Sequence, residues 1–158
     1  MKVSVLFVCL GNICRSPMAE AIFKDLVEQE ALQEDIIVDS AGTGNWHAGE
    51  LPDKRTLATG QAQNLTLDNP ARQIRPSDFH EFNYIIGMDN SNMDNIANVA
   101  PANYAAKCKR LLDFDENAKH KEVKDPYWGT QKDFEDMYNV LLPACKALLH
   151  HIKKHDLK

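Results

Sequence analysis

Residues 3–17 read Val3-Ser-Val-Leu-Phe-Val-Cys9-Leu-Gly-Asn-Ile-Cys-Arg15-Ser16-Pro17, and the fold follows from how this stretch is read. Val3 to Val8 is a β-branched, apolar run, which predicts a strand buried on both faces in a parallel sheet. The run ends at Gly11, and from Pro17 to Gln29 apolar residues recur at Met18, Ala21, Ile22, Leu26 and Val27, close to helical spacing. Pro17 suits the first turn of that helix. The residues between are therefore a tight loop that leads from a strand end into a helix amino terminus. Such a loop turns backbone N–H groups inward and forms an anion cradle.

Outward from this stretch, strand-like and helix-like segments alternate. A second strand is predicted at Ile36–Ser40, then a loop over Gly42–Pro52 and a helix over Asp53–Gln63. Ser77 is placed to cap a short helix, Tyr84–Met88 reads as a third strand, and Asp89 or Ser91 caps the next helix. Cys108–Leu112 reads as a fourth strand, followed by a polar connection over Phe114–Gly129. A final amphipathic helix spans about Gln131 to Lys154, with a kink expected at Pro143. The alternation predicts an open parallel α/β sheet with its ligand site beyond the strands' carboxyl ends.

Composition narrows the partners. The 158 residues fit one domain, and a hydrophobic share of 44% is enough for a real core. A net charge of -5 with no basic stripe argues against nucleic acid and anionic membrane. Met1 to Leu10 superficially resembles a secretory leader, but the apolar run is short and Phe7 and Val8, not small residues, precede Cys9. No stretch reaches the length of a membrane span, so a cytoplasmic protein without membrane insertion is expected. The four cysteines, at 9, 14, 108 and 145, are expected to be reduced, and their spacing suggests no metal site. The carboxy-terminal HHIKKHDLK reads as a solvated helix end.

The chemistry concentrates in the loop. A Cys, five residues, then Arg and Ser supplies a thiolate nucleophile at Cys9 and, at Arg15, a planar fork matching two phosphoryl oxygens. The helix dipole, the inward N–H groups and Arg15 all favour the thiolate. The Ser16 hydroxyl can donate to the sulfur, and Gly11 and Asn12 suit the left-handed backbone of so tight a turn. The plain alternative is that Cys9 ends a buried strand and Arg15 opens a solvated helix face. Expulsion of an alkoxide or phenoxide also needs an acid. His120 and Asp125 are the candidates. Asp125-Pro-Tyr-Trp128 is preferred, because Pro126 stiffens the backbone and two aromatics can flank a flat leaving group.

VCLGNICRSPMAE, followed much later by DPYW, resembles the low-molecular-weight protein tyrosine phosphatases, and VDSAGT, ARQI and MDNSN extend the likeness over nearly the whole chain. The resemblance implies one domain over residues 1–158. Its fold would be a four-stranded parallel sheet flanked by helices on both faces, flavodoxin-like or Rossmann-like, with no metal and no cofactor. It implies attack by Cys9 to form a phosphocysteine while Asp125 protonates the leaving phenol, then Asp125 acting as base for the releasing water. Asn12, Ser16 and Ser40 resemble the polar network that supports the loop. Leu10, Ile13, Trp46, Tyr127 and Trp128 resemble the cleft walls. Asn69 precedes ARQI where relatives can carry a His in that network, and an amide can make a similar hydrogen bond. Tyr127 matches a tyrosine phosphorylated in some relatives. Phosphotyrosine proteins are the implied substrates, with inorganic phosphate or similar oxyanions as product or inhibitor.

Three rival readings remain. Arsenate reductase on the same fold needs a mid-chain cysteine pair, and residues 70 to 100 contain no Cys. Phosphoarginine hydrolysis accompanies a Thr in related enzymes at the place of Ile13, whose bulk favours an aryl group. A module that binds phosphotyrosine without hydrolysis would need neither the thiol nor the acid. Cys14 is read as a redox partner that captures oxidised Cys9 as a reversible disulfide, the alternative being a small residue that packs the loop.

Overall fold

The computed structural model describes residues 2–157; Met1 and Lys158, the last residue of HHIKKHDLK, lie outside it. Strands β1 (Val3–Cys9), β2 (Ile36–Gly42), β3 (Tyr84–Gly87) and β4 (Lys107–Arg110) form one parallel sheet in the order β2-β1-β3-β4. Between and after them run α1 (Arg15–Gln29), α2 (Lys54–Ala62), α3 (Asp78–Glu81), α4 (Asn90–Val99) and α5 (Gln131–His155). The chain steps from β1 outward to β2, then crosses back past β1 to β3. The winding thus reverses beside β1, and a crevice opens at its carboxyl end.

The apolar run of β1 is explained by burial on both faces. Val3, Val5, Phe7 and Cys9 pack with Met18, Ile22 and Phe23 of α1 and Leu141 and Leu148 of α5. Leu6 and Val8 face a second core with Phe79 of α3, Ile85 of β3 and Ile96 of α4. Helices therefore cover both faces. Residues Val5 to Val8 are fully buried, each contributing about 1.5–3 kcal/mol by leaving water, which makes β1 a rigid base for the loop that follows.

Several boundaries differ from the sequence reading. α1 begins at Arg15, so Pro17 is its third residue, still in the first turn where a missing N–H costs no helical bond. β4 stops at Arg110, and Leu111–Phe114 form a single 3-10 turn instead of extending the strand. The reason is burial: Leu111 and Leu112 are both buried, whereas a strand alternates its side chains between faces. Lys107 and Lys109 stay exposed on this edge strand, where charge discourages further pairing. Ser77 makes no side-chain cap for α3; the Asp78 carboxylate instead accepts from Arg75 N at 2.9 Å. Asp89, not Ser91, caps α4 by accepting from Asn92 N at 2.7 Å. The carboxy-terminal helix end is docked more than its composition suggests. Ile152 is buried, and the His151 ring meets Phe114 edge-on at 5.0 Å. Among the described residues, no helix is long and apolar enough to cross a membrane.

Candidate active site

Residues 9–16 leave β1 and curl back into the first turn of α1. Asn12 takes the left-handed conformation at φ 57°, as its residue type allows. Gly11 does not, contrary to expectation. Its missing Cβ matters for space, since one there would lie 3.0 Å from His47 Cδ2. Gly42, at the end of β2, is the tighter requirement: a Cβ there would stand 2.9 Å from the Leu10 carbonyl oxygen. No side chain caps the amino end of α1, so its first N–H groups remain available to an anion in the loop.

The sulfur sits at the end of an oriented hydrogen-bond chain. Ser40 Oγ donates to Glu20 Oε1 at 2.6 Å, and Asn12 Nδ2 donates to Ser40 Oγ at 3.0 Å and to Ser16 Oγ at 2.8 Å. With its lone pair so engaged, the Ser16 hydroxyl can direct its proton to Cys9 Sγ, 3.0 Å away. Asn12 Oδ1 accepts from Arg72 N at 3.0 Å, which fixes the amide's orientation. Asn69 donates to Glu20 Oε2, so it joins this network through the carboxylate. Glu20 itself escaped the sequence reading. It lies one helical turn after Ser16 on the same face, the spacing that could have exposed it.

Arg15 is 2% exposed, an unusual place for a guanidinium. Its Nη1 donates to Asp89 Oδ2 at 2.6 Å and to the Val123 carbonyl at 3.0 Å. Burial opposes its charge, but Cys9, Asp89 and Asp125 together hold its pKa above the ordinary value. Among the described residues, Nε has no partner although it is buried. Nε and Nη2, the latter engaged only by Asp125 at 3.6 Å, therefore form the edge suited to two oxygens of one oxyanion. Asp89 was legible only as a helix cap; its second oxygen holds Arg15.

Opposite the loop, Asp125 stands at the mouth of a cavity of about 230 Å³. Its Oδ1 accepts from Tyr127 N at 3.1 Å, and its Oδ2 lies 3.6 Å from Arg15 Nη2. The cavity floor is formed by Cys9, Gly11, Ile13, Cys14 and Arg15. Its walls are Leu10, Trp46, Tyr127 and Trp128, joined by His47, which the sequence reading passed over. Trp46 and Trp128 are 68% and 93% exposed, so both form open lips of the cleft. Asn12, Ser16 and Ser40 stand behind the floor. His120 is exposed and does not line the cavity.

All four cysteines are free. Cys14 is buried, and its pKa is pushed up to about 12 by burial and by the neighbouring Cys9. Cys145 is fully buried and Cys108 half-buried, and neither reaches the cavity. Among the described residues, no group of three or more His, Cys, Asp or Glu gathers to hold a metal ion. One cavity thus brings together the Cys9 thiol, the Arg15 guanidinium, the Asp125 carboxylate and a largely apolar, aromatic lining.

Comparison with known proteins agrees on the family. The family model described as low molecular weight phosphotyrosine protein phosphatase matches residues 4–158. The low molecular weight protein-tyrosine-phosphatase YfkJ of Bacillus subtilis is 42% identical over 153 residues, covering 96% of this chain and 97% of the relative. The crystal structure of a protein tyrosine phosphatase from Entamoeba histolytica with Hepes in the active site superposes with a TM-score of 0.92 at 38% identity, covering 97% of this chain and 98% of the other. The crystal structure of a Drosophila arginine phosphatase does so with a TM-score of 0.89 at 37% identity, covering 99% and 100%.

Proposed function

The chain belongs to the low molecular weight phosphotyrosine protein phosphatase family, and on that premise we propose that it hydrolyses phosphotyrosine and small aryl phosphate monoesters through a phosphocysteine. The observation that carries this is the buried Arg15, with an unpartnered Nε, lining one cavity with Cys9.

In the first step the Cys9 thiolate attacks phosphorus. The S–P bond forms, the P–O bond to the aryl group breaks, and Asp125 gives its proton to the departing oxygen. Arg15 and the N–H groups of the loop hold the equatorial oxygens, which carry the charge throughout. In the second step Asp125 takes a proton from water as that water attacks phosphorus. The S–P bond breaks, phosphate leaves, and the Ser16 hydroxyl stabilises the returning thiolate. Asp89 and the Val123 carbonyl position Arg15, and the Glu20–Ser40–Asn12–Ser16 chain orients the donor to the sulfur.

The apolar lining by Leu10, Ile13, Trp46, Tyr127 and Trp128 supports an aryl substrate over the phosphoarginine that the Drosophila relative's name suggests. The distance of Cys108 and Cys145 from the cavity speaks against a disulfide relay of the arsenate reductase kind. Phosphotyrosine proteins are the substrates on this reading, phosphate and similar oxyanions occupy the loop, and the free thiols fit a cytoplasmic setting. Peroxide would convert Cys9 to a sulfenic acid. The Cys14 thiol then displaces water to form a disulfide, which an external dithiol reduces.

The test is a p-nitrophenyl phosphate assay. Cys9→Ser and Arg15→Ala should each abolish nearly all activity, and Asp125→Ala should lose less because nitrophenolate leaves with little help. Full activity in Cys9→Ser overturns the mechanism. Faster release from phosphoarginine than from phosphotyrosine overturns the substrate assignment. An inert wild type whose phosphotyrosine affinity survives Cys9→Ala would make the protein a binding module.

A further inference from the structure

Arg55 stands in the first turn of α2 and reaches across to the loop that carries Asp125. Its Nη2 donates to the Tyr127 carbonyl at 3.0 Å and its Nη1 to the Gly129 carbonyl at 3.1 Å. The guanidinium carbon lies 4.4 Å from the centroid of the Phe134 ring, fully buried at the start of α5. Asp53 locks the same guanidinium, accepting from Nε at 3.0 Å and from Nη2 at 2.9 Å. The other side of α2's first turn holds the nucleophile loop: Asp53 N and Thr56 Oγ1 both donate to the Ile13 carbonyl, at 2.9 and 3.1 Å.

We propose that Arg55 is a positioning residue that fixes the Asp125 loop over Cys9, with the first turn of α2 tying the acid's loop to the nucleophile's loop. The proposal rests on the reading of Asp125 as the acid. Asp125 is itself lightly held, 38% exposed, with a backbone partner only in its own turn and Arg15 at 3.6 Å. Its aim thus depends on where the backbone of residues 126–129 sits. The two carbonyls that Arg55 grips belong to that backbone. A planar fork can satisfy two acceptors in fixed directions while a carboxylate holds its other edge, which a flexible ammonium cannot do. An error of about 1 Å in the placement of a catalytic group can cost on the order of a hundredfold in rate.

Proton donation matters in proportion to how poor the leaving group is, and this gives a readout that loss of general stability would not move. Phenol is as weak an acid as the tyrosine side chain, with a pKa of about 10. Phenyl phosphate therefore needs the acid more than p-nitrophenyl phosphate does. Arg55→Met keeps an apolar stem over Phe134 and removes every donor. It should lower kcat/KM for phenyl phosphate about tenfold and for p-nitrophenyl phosphate by no more than about twofold. In an Asp125→Ala background the same change should cost less than about twofold on either substrate, because the acid it positions is gone. Equal losses on both substrates, or a tenfold loss that persists without Asp125, would overturn the clamp. If Asp125→Ala shows no greater loss on phenyl than on nitrophenyl phosphate, the assignment of the acid fails and the clamp falls with it. Should Arg55→Met not fold, Arg55→Lys goes through the same cycle. It retains a cation over Phe134 but cannot span both carbonyls, and the same outcomes decide.

Discussion

Asp89→Asn isolates the charge that holds Arg15. The substitution removes the carboxylate 2.6 Å from Arg15 Nη1 but keeps an oxygen able to cap α4, since Asn and Asp cap about equally well. Removing one partner of a buried ion pair costs roughly 3–5 kcal/mol. The guanidinium here is 2% exposed but the Asp89 side chain 21%, and the Val123 carbonyl still accepts from Nη1. The loss should therefore fall to about 2 kcal/mol, which for a chain of this size is about 4–8 °C in thermal midpoint. The same argument has a functional edge. Without Asp89 the nearest carboxylate to Arg15 is Asp125, already 3.6 Å from Nη2. A closer pair there would draw the phosphate fork and the acid together and disable both. Thermal melts with and without phosphate, beside kcat/KM for phenyl phosphate, measure the two effects. Phosphate should restore most of the lost stability, because the oxyanion replaces the missing counter-charge. A variant as stable as wild type with unchanged kcat/KM would refute the role given to Asp89. A melt lowered equally with and without phosphate would show the damage to lie in α4.

Three further outcomes follow from the same geometry. Wild type treated with peroxide should regain full activity with dithiothreitol, whereas Cys14→Ala should recover little because nothing captures the oxidised Cys9; full recovery of that variant sinks the redox role. The Cys14 pKa is raised from 9.0 to about 12, so the stability it contributes is complete below about 9 and is lost as pH rises from there towards 12. At pH 10, urea unfolding should therefore show a loss of up to about 1.4 kcal/mol that Cys14→Ala lacks, and identical alkaline slopes would contradict it. Trp128→Ala should change stability by less than about 0.5 kcal/mol, since the indole is 93% exposed, yet raise KM for a phosphotyrosine peptide. An unchanged KM would remove Trp128 from the cleft.

What the sequence disclosed, and what it hid, divides by distance along the chain. Cys9, Asn12, Arg15 and Ser16 lie within eight consecutive positions, and their chemistry follows from lying between one strand and one helix. The unbroken apolar run of β1, buried on both faces, and the helical spacing of α1 are equally local. β4 was read too long because two adjacent leucines look the same in a strand and in a 3-10 turn; only the packing beneath them distinguishes the two. The supporting residues were hidden for a different reason. Asp89 is 74 positions from Arg15, and Arg55 is 72 from Tyr127. Each also carries a sufficient local explanation, as a helix cap or as a charge on an amphipathic helix. No pattern in one sequence reports a second partner for a residue whose first is already accounted for. The division has a chemical sense. On the proposed mechanism the nucleophile and its anion cradle must be built to within a fraction of an ångström, so they come from one continuous turn. On the same reading the acid stands across a cleft that admits substrate, so it comes from a distant segment, and long-range contacts such as that of Arg55 would hold it there. Substitutions of Cys9, Arg15 and Ser16 should therefore damage the reaction with every substrate alike, whereas substitution of Arg55, the distant support of the acid's loop, should discriminate by leaving group. That difference separates the two classes of residue by kinetics alone.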